Sequence, residues 1–332
     1  MKKGVAALFC ALALFGCSKR NAGESVSGGD VRIGIAKITQ HEALDAIENG
    51  VLDALVMRGY NVDADLQSAN GDVNTAAQIA NKFKSDGVAV AVGIATPAAQ
   101  ALANAIKDIP VVFSGVTDPV GARLVSSLDR GEGNVTGLSD AIPTAEHIAM
   151  FQRIAGIKTL GYIYTSSEEN SVSALALVED ACQKYGITLV SQSINTSVDL
   201  RQAAQAIVNR VDGVYLTTDN TVFSALPALV EVFGGAKKPV FSGDVTGAMN
   251  GGCTIAWGFN YYKAGLATGN IVADILEGKS PADIPVKFLT DPGETDLLFD
   301  LDSADACGIT IPDDLLDQAN YIFQDGELMQ MQ

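Results

Sequence analysis

Hydroxyl, amide and acidic side chains gather just after short β-branched runs. Lys37, Thr39, Gln40 and His41 follow the first run, Thr96 follows the third, and Ser114, Thr117 and Asp118 close the fourth. A later series repeats the pattern with Asn170 and Ser171, then Thr217 to Asn220 around Asp219, then Ser242 and Asp244. In open α/β sheets ligands bind beyond the carboxyl ends of the strands, so these are the positions to read for chemistry. Such a lining suits a small zwitterion. An α-carboxylate calls for Ser or Thr hydroxyls and the free N–H groups of a helix start, which Thr96 and residues 114–117 offer. An ammonium calls for a desolvated carboxylate, and Asp219 is the best placed acid. Thr and Asp are also ordinary helix N-caps, and spacing alone does not separate the two roles of Thr96 and Asp219.

Catalytic and metal chemistry find less support. The only histidines are His41 and His147, with no H-E-x-x-H pair and no nucleophile in a recognisable motif beside either. There is no G-x-G-x-x-G after a strand, no phosphate-binding G-x-x-x-x-G-K-[ST] and no G-x-S-x-G elbow, so no catalytic residue, metal or cofactor is expected. An exported hydrolase using Asp118, Asp219 and Asp244 is the weaker rival.

The elements that must position these residues alternate regularly. Strands are expected over 31–38, 61–68, 88–92 and 111–114, with helices over 42–58, 73–84 and 97–106. The rhythm restarts after Pro143, with helices over 145–154, 172–185, 200–208 and 221–233 and strands over 159–164, 188–193, 213–217 and 239–241. Two similar α/β halves therefore lie in tandem, each with a parallel sheet covered by helices. The remainder (a strand at 253–257, a helix over 261–277 with Gly265 and Gly269 for close packing, a strand at 297–301) is too small for a third domain. It must complete the two sheets, so the chain crosses between the halves more than once and forms a hinge.

The 332 residues carry a formal net charge of −17, which argues against a nucleic-acid partner because affinity for phosphate backbones comes mainly from Lys and Arg. Lys2 and Lys3, an apolar run over 5–15 and Gly16-Cys17-Ser18 read as an export signal, too short to span a bilayer. Leu14-Phe15-Gly16-Cys17 resembles a lipoprotein lipobox, which implies a signal over 1–16 and lipidation of Cys17, with a flexible Gly/Ser-rich tether over 17–30. Beyond Cys10 and Cys17, the remaining Cys182, Cys253 and Cys307 permit at most one disulfide, with buried free thiols the simpler reading.

The stretch from Phe113 to Val125, FSGVTDPVGARLV, followed by Gly133-Asn134-Val135-Thr136-Gly137-Leu138-Ser139-Asp140, resembles the ABC-transporter substrate-binding family that includes tryptophan- and tyrosine-binding lipoproteins. Glu169-Asn170-Ser171, Thr218-Asp219-Asn220 and Tyr261-Tyr262-Lys263-Ala264-Gly265 fall in the same order; Asn260 stands where members often have Asp. The resemblance implies a type I periplasmic-binding-protein fold: two Rossmann-like lobes with parallel sheets, joined by three crossovers. On that pattern lobe one comprises 31–142 plus about 246–286, and lobe two 143–245 plus about 287–332. Gln40, His41, Thr96, Ser114, Thr117 and Asp118 would face the cleft from lobe one, and Asn170, Ser171, Asp219, Asn220 and Asp244 from lobe two. His41 equally suits a helix start, and Asp118-Pro119 a turn. The implied function is capture of an amino-acid-like ligand, aromatic on the family's pattern, by a monomeric receptor. A lipid anchor would hold it on the outer face of the cell membrane for delivery to an ABC permease. A ligand sensor for a membrane receptor would share the same fold and cleft.

Overall fold

The computed structural model describes residues 30–289 and 292–331. The signal, Cys10, Cys17 and nearly all of the tether lie outside the described residues. In chain order the first elements are β1 (Asp30–Lys37), α1 (Glu42–Met57), β2 (Asn61–Ser68), α2 (Val73–Asp86), β3 (Val90–Ile94), α3 (Thr96–Ala105), β4 (Val111–Ser114) and β5 (Val135–Ser139). Then come α4 (Thr144–Ala155), β6 (Thr159–Thr165), α5 (Glu169–Tyr185), β7 (Thr188–Ile194), α6 (Leu200–Ile207), β8 (Gly213–Leu216), α7 (Asn220–Phe223), α8 (Leu226–Gly235) and β9 (Val240–Ser242). The chain ends with β10 (Ile255–Phe259), α9 (Tyr261–Leu276), β11 (Lys287–Phe288), β12 (Thr295–Asp300), α10 (Leu301–Cys307), α11 (Asp313–Leu316) and the hairpin β13 (Tyr321–Gln324) and β14 (Glu327–Gln330).

Two sheets result, one in the order β11-β5-β4-β3-β1-β2, the other β14-β13-β12-β10-β9-β8-β6-β7. The first is wholly parallel; the second is parallel except where β12 meets β10 and β14 meets β13. Every residue of β3, β4 and β5 is buried; β3 and β4 show the apolar runs of strands covered by helices on both faces, whereas β5 (VTGLS) is equally buried without one. Helix ends follow local chemistry. Asp72 caps α2 by accepting from Thr75 N at 2.8 Å, and Gly87 ends it in the left-handed conformation.

The chain passes between the sheets three times, after β5, after β10 and after β11. Strand β10 belongs to the second sheet, so the expected placement of 246–259 in lobe one is corrected: only α9 and β11 return to the first lobe. The reason is pairing, since β10 lies between β9 and β12. Helix α9 then packs along α1 through glycines. A Cβ on Gly265 would stand 2.3 Å from the Ile47 carbonyl oxygen, and one on Gly50 2.3 Å from that of Tyr262. Other differences from the sequence reading are local. The expected helix over 221–233 breaks into α7 and α8, with Pro227 in the first turn of α8. Strands β5, β11, β13 and β14 lie outside the strands expected from the sequence; Gly137 interrupts the β-branched character of β5. Cys182, Cys253 and Cys307 are free thiols, the first two buried.

Candidate functional site

The carboxyl ends of both sheets face one another across a small cavity of about 20 Å³. Lobe one contributes His41, Leu44, Gly115, Asp140 and Tyr261, and lobe two contributes Thr218, Asp219, Asn220, Phe223 and Asp244. That is far below the roughly 300–1,000 Å³ of ligand sites, so a ligand needs the walls to part or the adjoining groove. The lobes touch around it: Thr117 Oγ1 and Thr218 Oγ1 are 2.9 Å apart, Ser173 donates to Asp118 at 3.3 Å, and Asn250 donates to Glu42 at 3.1 Å. These contacts join residues of opposite lobes, so the arrangement is a closed one.

Two acids dominate the cavity. Asp140, directly after β5, accepts from Thr117 Oγ1 at 3.1 Å and from the Tyr261 hydroxyl at 3.2 Å. Burial pushes its carboxyl up to about 6. Asp244, beyond β9, accepts from Thr246 N at 2.7 Å; burial pushes it up to about 7, and the nearby charge of Asp140 adds to the rise. Two carboxylates from opposite lobes thus share one dry space, which favours a cation between them.

Asp219 also lines the cavity but is engaged by its own lobe. One oxygen accepts from Thr165 N (2.6 Å) and Ser171 Oγ (2.7 Å), the other from Thr165 Oγ1 (2.8 Å) and Val222 N (2.9 Å). Its lone pairs are filled and it caps α7, so of its two possible roles the structure displays the cap. Behind it, burial and the charge of Asp219 push Glu168 up to about 7. Glu168 accepts from Asn220 Nδ2 at 2.6 Å and from Thr221 Oγ1 at 2.6 Å.

His41 precedes α1 with extended backbone and no side-chain cap, so the first-turn N–H groups of a 16-residue helix open beside the cavity. Burial lowers its imidazole to about 4, leaving it neutral. Its ring lies 6.4 Å from that of Phe223 across the lobe boundary. Beyond this pair the site continues into a groove of about 480 Å³ with Gln40, Ala43, Leu226, Pro227 and Val230 in its walls.

The remaining sequence candidates take other places. Ser114 turns away to Thr268 on α9, at 2.7 Å. Thr117 and Asp118 line a separate hollow with Ile142, Ser173 and Leu177. Asn170 donates to the Thr218 carbonyl at 3.0 Å, and Ser171 serves Asp219. Thr96 begins α3 with its hydroxyl buried and unpartnered, after Ala95 at φ 72°. None of these six lines the enclosed cavity. Asp140, Thr218, Tyr261, Phe223, Leu44 and Gly115 are the lining residues outside the sequence selection. Asp140 ends the quoted 133–140 motif, and recognising β5 as a strand would have exposed it. Gly115 has φ 65°, and a Cβ there would meet Ile47 Cδ1 at 3.2 Å. His147 is a core residue, bonded to the Tyr215 hydroxyl at 3.0 Å and packed on Phe241 and Trp257.

The two α/β lobes that meet over this small polar cavity have the type I periplasmic-binding-protein fold. The chain belongs to the ABC transporter substrate binding protein family, which it matches over residues 32–322, and as such it works outside the cytoplasm. It is 35% identical over 306 residues to a tyrosine-binding protein of Clostridioides difficile, covering 88% of this chain and 87% of that one. It superposes on a Streptococcus pneumonia ABC domain in complex with L-Trp at TM-score 0.85, with 31% identity, 89% of this chain and 100% of that one. Against the ligand-free, open structure of a Clostridium difficile substrate binding protein with adhesive properties the TM-score is 0.65, at 35% identity and 85% and 96% coverage. At similar identity the chain thus superposes better on the L-Trp complex than on the ligand-free, open structure.

Proposed function

We propose that the protein captures an aromatic α-amino acid between its lobes and presents it to an ABC permease as a monomeric receptor, tethered to the membrane through lipid on Cys17. The observation that carries the ligand reading is the pair Asp140 and Asp244, buried carboxylates from opposite lobes lining one cavity. An ammonium between them relieves their mutual repulsion and draws the lobes together. The carboxylate goes to the open N-terminus of α1, where the helix dipole and free N–H groups favour an anion. The side chain then points past His41 and Phe223 towards the apolar groove. The tyrosine-binding relative and the L-Trp complex support an aromatic side chain. On this reading the ammonium partner is the Asp140–Asp244 pair rather than Asp219, and His41 and Asn220 remain cavity contacts. Lobe one is 31–142 with 260–288, and lobe two 143–259 with the residues after 294.

Binding would shift an open–closed equilibrium by the ligand's difference in affinity for the two states. A thermal-shift screen of the twenty amino acids, followed by calorimetry, tests the proposal. Stabilisation by L-tryptophan or L-tyrosine is expected, and failure of every amino acid to stabilise the protein would refute it.

A further inference from the structure

We propose that the cavity between Asp140 and Asp244 is a socket for an unsubstituted ammonium, backed by Glu168 as a positioning residue, so that the protein takes primary α-amino acids and rejects their N-methyl counterparts. This rests on the aromatic-amino-acid reading above and adds a criterion within it. Size comes first. A cavity of about 20 Å³ holds one water-sized group, since a single water needs roughly 10–15 Å³ of such space. An ammonium fits it. The rest of the ligand lies in the adjoining groove, which shares His41, Phe223 and Asp244 with the cavity. A methyl on the nitrogen would overfill the socket and press the lobes apart.

The lining also supplies an acceptor for each of the three N–H groups. Asp140 accepts from Thr117 Oγ1 at 3.1 Å through one oxygen and from the Tyr261 hydroxyl at 3.2 Å through the other. Asp244 accepts from Thr246 N at 2.7 Å. With about four lone-pair sites on a carboxylate, both acids keep capacity for a ligand, whereas Asp219 is filled by its four donors. The third acceptor is Asn220. Glu168, buried behind it, accepts from Asn220 Nδ2 at 2.6 Å, from Thr221 N at 3.1 Å and from Thr221 Oγ1 at 2.6 Å, and it faces Asn170 Nδ2 at 3.4 Å. The NH₂ of Asn220 is thereby committed to Glu168. Its oxygen, which can only accept, is the polar atom Asn220 has left for the cavity it lines.

An N-methyl amino acid brings two N–H groups to these three acceptors and leaves one of them bare. Sites built to bond a substrate N–H reject analogues lacking it far more strongly than an apolar pocket rejects a missing methylene. The same geometry gives Glu168 its part. Thr221 N can only donate, so an amide at position 168 keeps its oxygen there and turns its NH₂ towards Asn220. Asn220 must then reverse, aiming its own NH₂ at the ligand ammonium.

Calorimetry with L-tryptophan and two isomers tests this: Nα-methyl-L-tryptophan, with the methyl on the ammonium, and 1-methyl-L-tryptophan, with it on the ring. The Nα-methyl isomer is expected to bind at least about tenfold more weakly than the ring-methyl isomer, and a smaller ratio would overturn the socket. Glu168→Gln should weaken L-tryptophan by about tenfold or more. Adding Asn220→Asp, whose carboxylate accepts from the amide and from the ammonium alike, should restore binding to within about threefold of wild type. Wild-type affinity in Glu168→Gln, or a double variant no tighter than the single one, would overturn the positioning role. The isomer ratio in the wild-type protein decides the socket even if a variant does not fold. Absence of binding by L-tryptophan and both isomers would instead overturn the aromatic-amino-acid reading.

Discussion

Replacing Asp140 by Asn separates a carboxylate kept for a ligand from one kept for the fold. Its hydrogen-bond partners are both hydroxyls, Thr117 Oγ1 and Tyr261 OH, which can turn from donor to acceptor and so adapt to an amide. Asp244 is a poorer choice, because it accepts from the backbone N–H of Thr246, which cannot reverse. Burial holds Asp140 at about 6 instead of 3.8, roughly two units or ~3 kcal/mol against the ionised form in the ligand-free protein. Asp140→Asn removes that cost, so the ligand-free unfolding midpoint should stay level or rise. In the complex the same substitution leaves an ammonium short of a buried partner, a loss of about 2–5 kcal/mol. At 1.4 kcal/mol per decade this is about 30- to 3,000-fold weaker binding. Calorimetry with L-tryptophan at pH 7.5, with thermal unfolding with and without ligand, reads both effects. Binding within about threefold of wild type would refute the ammonium assignment, and a ligand-free midpoint lower by several degrees would show that the carboxylate is structural.

Asp219→Ala should behave oppositely, because it strips acceptors from Thr165 N, Thr165 Oγ1, Ser171 and Val222 N; a stability loss of at least about 3 kcal/mol in denaturant melts of the ligand-free protein is expected. The pH dependence has a definite sign. With Asp140 and Asp244 held at about 6 and about 7, the ligand-free protein binds more protons than the unfolded chain between about pH 4 and 7, so its stability falls as pH rises through that window. An ammonium favours the ionised acids, so affinity should fall as pH drops from 7 to 5, by up to about tenfold per unit for each proton displaced; calorimetry at several pH values with flat affinity would count against it. Thr218→Val deletes the 2.9 Å interlobe bond to Thr117 and should weaken binding by about 0.5–1.5 kcal/mol without lowering the unfolding midpoint, as measured by calorimetry and thermal melts.

The repeating strand–helix periodicity made both lobes legible in the sequence, since buried parallel strands and amphipathic helices write strong local signals. What stayed hidden was non-local. Strand β10 looks the same whichever sheet it joins, and only its pairing with β9 and β12 assigns it to lobe two. The site followed the same division. His41, Asn220 and Asp244 could be found as post-strand residues, whereas Asp140 was masked because Gly137 disguised the strand before it. Asp219 drew attention by its residue type and position, yet the four donors that fill its lone pairs come partly from residues some fifty positions away. Sequence spacing cannot show that an acid is already satisfied.

Asp140 directly follows β5 and Tyr261 lies two residues after β10, two of the three strands after which the chain changes lobe, so the cavity wall adjoins the pivot. The molecule works like pliers gripping close to the rivet. A rotation that parts the cavity walls also breaks the contacts beside them, where Asp118 meets Ser173 and Glu42 meets Asn250. A ligand that holds the two cavity walls together therefore also holds these neighbouring contacts, and whatever reads them from outside registers the event at the rivet.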